Sequence, residues 1–238
     1  KVLLSHLKYR TNMELQVKFK MNEHLYLRNP DESDLGRRII TNSVRMIGEM
    51  GFESFTFKKL ATEIETTEAS VYRYFENKHR LLVYLITWYW SWLEYKVMVS
   101  GVNTNDAELK IKRIIRLLTE ELDDTSASNE IDVRSLYHIV VWEGSKAYLT
   151  RHVTEDNKVR LFKPYKDLAS RIATTFKEYN PKYKFCRSLA STLLEMSHYQ
   201  TFFMQNLPAL TDFSSGKDIK EVSKFLEHMV FACLRKEK

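Results

Sequence analysis

Two Glu-x-x-His pairs, Glu76/His79 and Glu195/His198, come closest in this chain to a metal-binding spacing. Three residues apart on a helix, a carboxylate and an imidazole share one face. Di-iron carboxylate bundles use two such pairs plus a further Glu from each of two other helices. Here the first pair closes a short polar segment, remote from any bundle the second could join. With 31 acids and 7 His in 238 residues, such pairs also arise by chance. A single transition-metal site built on His198 is what survives of that reading. Other reactive spacings are missing: there is no His-Glu-x-x-His, Gly-rich phosphate loop, Gly-x-Ser-x-Gly elbow or Cys-x-x-Cys. Cys186 follows Lys182 and Lys184 and is at most a modestly activated thiol. The chain therefore reads as a non-enzyme, with no catalytic residue, no metal site and no cofactor.

The chemistry it does offer is hydrogen bonding to a polyanion, concentrated between Thr56 and Leu82. Thr56 is a good N-cap, with Phe55 and Leu60 placed as a hydrophobic staple around it. Leu60, Ala61 and Ile64 give the first short helix a narrow apolar stripe, and the small Ala61 lets a second helix cross closely. Thr67 caps that second helix, whose opening residues are short or polar and able to reach base edges. Val71 and Phe75 anchor it. Asn77 caps a third helix carrying Lys78 in its first turn. Two helices in this order, with a polar front and an aromatic end, are the layout of a helix-turn-helix, whose second helix enters the DNA major groove. The DNA face is expected to comprise Thr56, Lys58, Thr67, Glu68, Ala69, Ser70, Tyr72, Arg73, Tyr74 and Lys78. Within it, Glu68 and Ser70 are the base contacts, and Tyr72, Tyr74 and Lys78 the phosphate contacts.

The run Val71-Tyr72-Arg73-Tyr74-Phe75, with Asn77-Lys78 and Leu81-Leu82, resembles the "LYxYFxSKxxLL" run of the tetracycline-repressor (TetR) family of bacterial regulators. Upstream, Ile39-Ile40 through Gly51-Phe52-Glu53-Ser54-Phe55-Thr56 is similar to that family's first helix, its glycine stop and the threonine opening its second. The resemblance spans about Asp34 to Tyr95. It implies an all-α homodimer with an N-terminal helix-turn-helix domain and a C-terminal helical domain that binds a small effector and dimerises. The function it implies is transcriptional repression relieved by that effector. Three residues depart from the pattern. The family turn reads Ala-Gly-Val-Ser, whereas this chain has Ile64-Glu65-Thr66-Thr67. Glu65 must then adopt a positive φ at a cost of roughly 1 kcal/mol. Thr66 replaces an apolar staple residue. Glu68 suits the helix dipole but repels phosphates unless it accepts from a cytosine amine. These acids keep a second reading open: a helical ligand-binding or protein-interaction protein with a weakened DNA-binding module.

Composition sets the frame. The chain is 44% hydrophobic and 29% charged, and its 6 Gly and 4 Pro are too few to interrupt long helices often. No apolar run reaches the ~20 residues of a membrane span, and no signal peptide is evident. Two cysteines without a disulfide framework suit a reduced, cytoplasmic setting. The net charge of +6 is unevenly spread. Residues 1–29 hold six Lys/Arg against two Glu, whereas residues 30–100 hold nine Lys/Arg against ten acids. The helix-turn-helix is therefore not basic overall, and local placement must supply its pull on DNA.

The elements divide into an N-terminal extension (1–29), a helix-turn-helix domain (30–80) and a helical effector-binding and dimerisation domain (81–238). Leu15, Val17 and Phe19 alternate briefly like a strand. Pro30 to Asp34 starts the first helix, and a long helix from Lys78 to about Ser100 joins the domains. Helices then follow near 106–122, 131–150, 154–162, 165–179, 182–206 and 217–235, with polar loops at 123–130 and 207–216. Leu189, Leu193, Met196, Ile219, Val222, Leu226 and Met229 make apolar stripes on the last two helices and are the expected dimer interface. A two-fold dimer is what reading a palindromic operator in double-stranded DNA requires. Trp88, Trp92, His138, Trp142, His198 and Phe202 are the residues expected to line a pocket for a small effector of unknown identity. The competing role for the connecting helix's aromatics is packing between the domains.

Overall fold

The computed structural model describes residues 19–119, 131–213 and 218–235, which fold into ten α-helices and four short 3-10 turns with no strand among them. Leu15 and Val17 of the alternating run, and the loop expected at 123–130, lie outside the described residues. Helix α1 (Asp34–Ser54) starts where Ser33 Oγ accepts the Gly36 amide at 3.1 Å. Glycine is needed at position 36, because a Cβ there would stand 2.2 Å from the Pro30 carbonyl oxygen. Gly51, at φ 77°, breaks α1 before its last turn, where the sequence places the helix stop.

The caps read from the sequence are in place. Thr56 Oγ1 accepts from the Lys59 amide at 3.2 Å and opens α2 (Phe57–Glu63). Thr67 Oγ1 accepts from Ser70 N–H at 3.2 Å and opens α3 (Glu68–Tyr72). Asn77 Oδ1 accepts from Arg80 N–H at 2.9 Å and opens α4 (Lys78–Gly101). Each such bond contributes about 1 kcal/mol to its helix. Between α2 and α3 the chain turns through Glu65 at φ 51°, the left-handed conformation required where the related turn carries glycine. Val71 and Phe75, both at 0% exposure, fasten α3 to the core.

Helix α4 is the pillar of the molecule. Leu81 to Trp90, and then Trp92 and Leu93, are buried on every side, as expected of a helix apolar all round. Around it stand α5 (Ala107–Thr119), α6 (Val133–Glu143), α7 (Val153–Lys158), α8 (Lys163–Tyr179), α9 (Cys186–Asn206) and α10 (Ile219–Cys233). Helices α5, α6 and α8 pack on α4, while α9 and α10 close the outside against α8 and α5. The helix expected over 131–150 ends at Glu143, and Gly144–Ala147 tighten into a 3-10 turn.

The stripes assigned to a dimer are largely used at home. Leu189, Leu193, Val222 and Leu226 are buried within their own subunit, because α10 lays its apolar face on α5 and α9. Met196, Ile219 and Met229 pack beside them and stay partly exposed. Residues 19–29 are not a free arm either: Met21 and Leu25 are buried, and Phe19 meets Trp88 edge-on at 5.4 Å. Asn22 Nδ2 donates to the Val159 carbonyl and Leu27 N–H to the Tyr74 carbonyl, both at 2.8 Å. The segment thus straps the end of the helix-turn-helix to the loop before α8.

The left-handed Glu65 generates a prediction. Glu65→Gly should raise the thermal midpoint by about 2–4 °C, corresponding to up to ~1 kcal/mol of relieved strain. A lower midpoint would show that Glu65 is not strained.

Candidate nucleic-acid interface and ligand centre

The outer surface of α2 and α3 brings most of the expected DNA residues together. Thr56, Lys58, Thr67, Glu68, Ala69, Tyr72 and Arg73 are all exposed. Tyr72 is 46% exposed and its ring is braced edge-on by Phe57 at 5.0 Å, which orients the hydroxyl at little entropic cost. Lys58 and Arg73 make no ion pair among the described residues, so both cations are available to phosphates. Ser70 is half-buried, with its hydroxyl 2.9 Å from Thr67 Oγ1. Other cations near this face are occupied: Lys59 donates to the Ser54 carbonyl, Arg38 to the Ile64 carbonyl, and Arg45 pairs with Glu49 and Glu63.

Two expected phosphate contacts face inward. Tyr74 is 2% exposed, and its hydroxyl lies 2.7 Å from Ser33 Oγ. The aromatic run alternates around a turn, so its neighbours Tyr72 and Arg73 face out while Tyr74 joins the core. Arg28, carried by the strap, lies 5.3 Å over the Tyr74 ring and is a cation near this surface that the motif did not include. Lys78 is committed to the protein: its Nζ donates to the carbonyls of Phe52, Glu53 and Phe55 at 3.0, 3.1 and 3.2 Å.

Those carbonyls belong to the end of α1, just past the Gly51 break, and the matching amide is also captured. Phe52 N–H donates to Glu143 Oε1 at 3.1 Å, across 91 residues of sequence, and Glu143 is the last residue of α6. The other Glu143 oxygen forms an ion pair with Lys146 Nζ at 2.8 Å, and the same ammonium reaches Glu53 at 2.6 Å. A second tie joins Arg80 to Asp156 at 2.7 Å, with the Asp156 side chain only 3% exposed. Lys78 thus ties the end of α1 to α4, Lys146 ties it to the turn after α6, and Arg80 ties α4 to α7.

The expected pocket residues fall into three places. Trp88 packs on Phe19 of the strap. Trp92 stacks on Tyr89 at 5.9 Å, with Lys96 over its other neighbourhood at 5.8 Å. Both therefore serve packing. Trp142, 53% exposed, meets Phe202 edge-on at 5.0 Å on the outer side of α6 and α9. His198 lies elsewhere, inside, 5.3 Å from Trp90 and 6.1 Å from Tyr137, the neighbour of His138 on α6. Its Nε2 is buried without a hydrogen-bond partner, as is the Tyr89 hydroxyl, and both rings flank Tyr137. Burial pushes the His198 pKa down to about 4, so its imidazole is neutral.

One turn before His198, the Glu195 carboxylate sits between two phenols: Tyr148 donates to Oε2 and Tyr165 to Oε1, each at 2.5 Å. The phenol rings stack at 6.0 Å, and Tyr165 lies 4.9 Å from Trp90. Burial first, and then the Glu195 carboxylate, hold both phenols above the ordinary tyrosine range, so they remain protonated donors. Trp90, Tyr148 and Tyr165 were absent from the expected set: Trp90 because a helix apolar all round carries no period to mark which tryptophan faces inward, and the two tyrosines because their shared partner Glu195 lies 47 and 30 positions away. In the other Glu-x-x-His pair, Glu76 approaches Arg80 at 4.0 Å. No cluster of three His, Cys, Asp or Glu suited to a metal occurs among the described residues.

Residues 39–85 match the sequence profile described as bacterial regulatory proteins, tetR family. Solved structures similar to this chain include a bacterial regulatory protein in the tetR family from Rhodococcus RHA1. It is 10% identical over 87% of this chain and all of its own (100%), with a TM-score of 0.60. The fatty acid degradation regulator FadR from Bacillus halodurans is 17% identical over 84% of this chain and 96% of its own, at 0.58. AibR, in complex with isovaleryl coenzyme A and operator DNA, is 13% identical over 82% of this chain and 98% of its own, at 0.56. At such identities the likeness shows the fold. Among curated proteins there is no match.

Two outcomes follow from this geometry. Lys78→Met should destabilise the chain by about 1–2 kcal/mol in denaturant titration, because three carbonyls at the end of α1, two of them partly buried, lose a charged donor. A variant of wild-type stability that had lost only DNA affinity would return Lys78 to the DNA face. The second concerns pH. His198's folded pKa lies below its unfolded value near 6.5, so the unfolded chain takes up the proton first. Its contribution is complete above about pH 6.5 and is lost as the pH falls towards 4, a total of roughly 3 kcal/mol. Denaturant midpoints between pH 7 and 4 should fall less steeply in His198→Leu than in the wild type, and parallel slopes would refute the assignment.

Proposed function

We propose that this chain, which belongs to the tetR family of bacterial regulatory proteins through its N-terminal domain, is a DNA-binding transcriptional regulator. In this reading it is a homodimeric cytoplasmic repressor released from a palindromic operator by a small molecule. The observation that carries the reading is the surface of α2 and α3. Two capped helices present short polar residues, a braced Tyr72 and two uncommitted cations on one exposed face, with their apolar sides buried. The C-terminal helices would supply the switch. Helix α6 carries Tyr137 and His138 beside the buried His198 and ends in Glu143, whose carboxylate holds α1. A ligand that displaces α6 would therefore tilt the DNA-reading helices, provided it binds the two arrangements with different affinity. For the dimer, Met196, Ile219 and Met229, together with the stacked pair Tyr199 and Phe203, remain available to a second copy.

Exposed Glu65 and Glu68 beside Lys58 and Arg73 favour the second reading, a ligand-binding protein whose DNA module is weakened. One experiment separates the two: binding of the purified dimer to the DNA flanking its own gene, against random DNA, at two salt concentrations. The expected result is a preference of ~10³-fold or more with a steep salt dependence. Lys58→Ala and Arg73→Ala should each lower the salt slope by about one. A folded protein that binds both DNAs equally weakly would establish the second reading instead.

A further inference from the structure

The Glu195 site has an unbalanced charge. Its carboxylate is half-buried, and both oxygens are occupied by neutral phenol donors. No Lys, Arg or protonated His pairs with it among the described residues. Asp156, Glu143 and Glu94, by contrast, are matched by Arg80, Lys146 and Arg171. The walls beside Glu195 are aromatic. Tyr148 and Tyr165 stack on one another, and Trp90 lies between Tyr165 and His198. His198, on the same face of α9 and neutral, leaves Nε2 without a partner.

We propose that the molecule recognised by the C-terminal domain is an organic cation, an aromatic ammonium or amidinium whose charge pairs with Glu195 and whose ring lies along Trp90, Tyr148 and Tyr165. This assignment rests on the effector-responsive reading above and names the class of effector. A cation completes the charge balance of Glu195 and is attracted by the faces of the surrounding rings. An anion would meet a carboxylate with no compensating cation, and a neutral ligand would leave that carboxylate unpaired. A ligand N–H also suits the open nitrogen of a neutral imidazole in the tautomer that accepts there. Tyr148, Tyr165 and Glu195 keep partial exposure.

The test uses three probes of one shape: naphthylmethylammonium, naphthylmethanol and naphthoate, titrated calorimetrically into the full chain at neutral pH. The cation should bind at least ~10-fold more tightly than the alcohol, with the carboxylate weakest. Glu195→Gln should erase the preference of the cation over the alcohol. Tyr165→Phe should keep it, because the carboxylate loses a neutral donor and retains its charge. If Glu195 is only a tether between α8, α9 and the turn after α6, both variants lower stability and neither changes charge selectivity. That result overturns the proposal, as does equal affinity for the three probes, a preference for naphthoate, or no binding of any probe. DNA affinity is read separately in the same samples. A cation that binds selectively without weakening DNA binding upholds the ligand class and refutes effector release.

Discussion

A helix that stops leaves carbonyls without donors and, at a break, an amide without an acceptor. Everything else in this molecule is arranged around one such stop. Past Gly51 the last turn of α1 presents three carbonyls to the Lys78 ammonium and one amide to the Glu143 carboxylate. The donor comes from the first turn of the central pillar, and the acceptor from the last turn of α6. The orphan groups of a single helix end thereby become the joint between the unit that faces outward and the unit that surrounds α4. The Phe52 amide and its Glu143 acceptor are buried, so breaking that bond leaves a polar group unsatisfied, which is more costly than the bond itself was worth.

The joint also decides which residues are free to meet another molecule. Lys78, Lys59, Arg38 and Arg80 are engaged internally, so the exposed face of α2 and α3 works with few cations of its own. A surface of that kind relies on shape and on a small number of directed contacts more than on bulk positive charge. Among the C-terminal helices one half-buried carboxylate, Glu195, is surrounded by rings and has no cation beside it among the described residues. Both places are thus short of cations, and α4 with α6 lies between them.

Local signals made the fold readable, and ambiguity of face limited the sites. Ser, Thr and Asn before a helix can satisfy its first amides in only one way, so Thr56, Thr67 and Asn77 were legible as caps. Glu65 was legible as a left-handed residue because the turn it resembles carries glycine at that position. The stripe on α10 was legible as a stripe, but its periodicity is the same whether it covers its own core or a partner's. Only the packing against α5 and α9 settles that for Val222 and Leu226. On α4, Trp88, Trp90 and Trp92 are all buried, and a helix without a polar side carries no phase. Tyr74 and Lys78 were misplaced for a related reason: amphipathic side chains serve equally as surface contacts and as partners for a nearby helix end. Glu143, a lone acid in an apolar helix, resembled an ordinary exposed residue, and its partner lies 91 positions away.

The coordination of Lys78 has a chemical side as well. The Lys78 ammonium, its three hydrogens pointing at carbonyl oxygens, is screened from reagents while the joint is closed, whereas Lys58 stands on the open surface. Towards an acylating or alkylating reagent the two lysines form an internal pair, one accessible at all times and the other only when α1 lifts away from α4. The reactivity of position 78 relative to position 58 is therefore a built-in gauge of how often the joint opens.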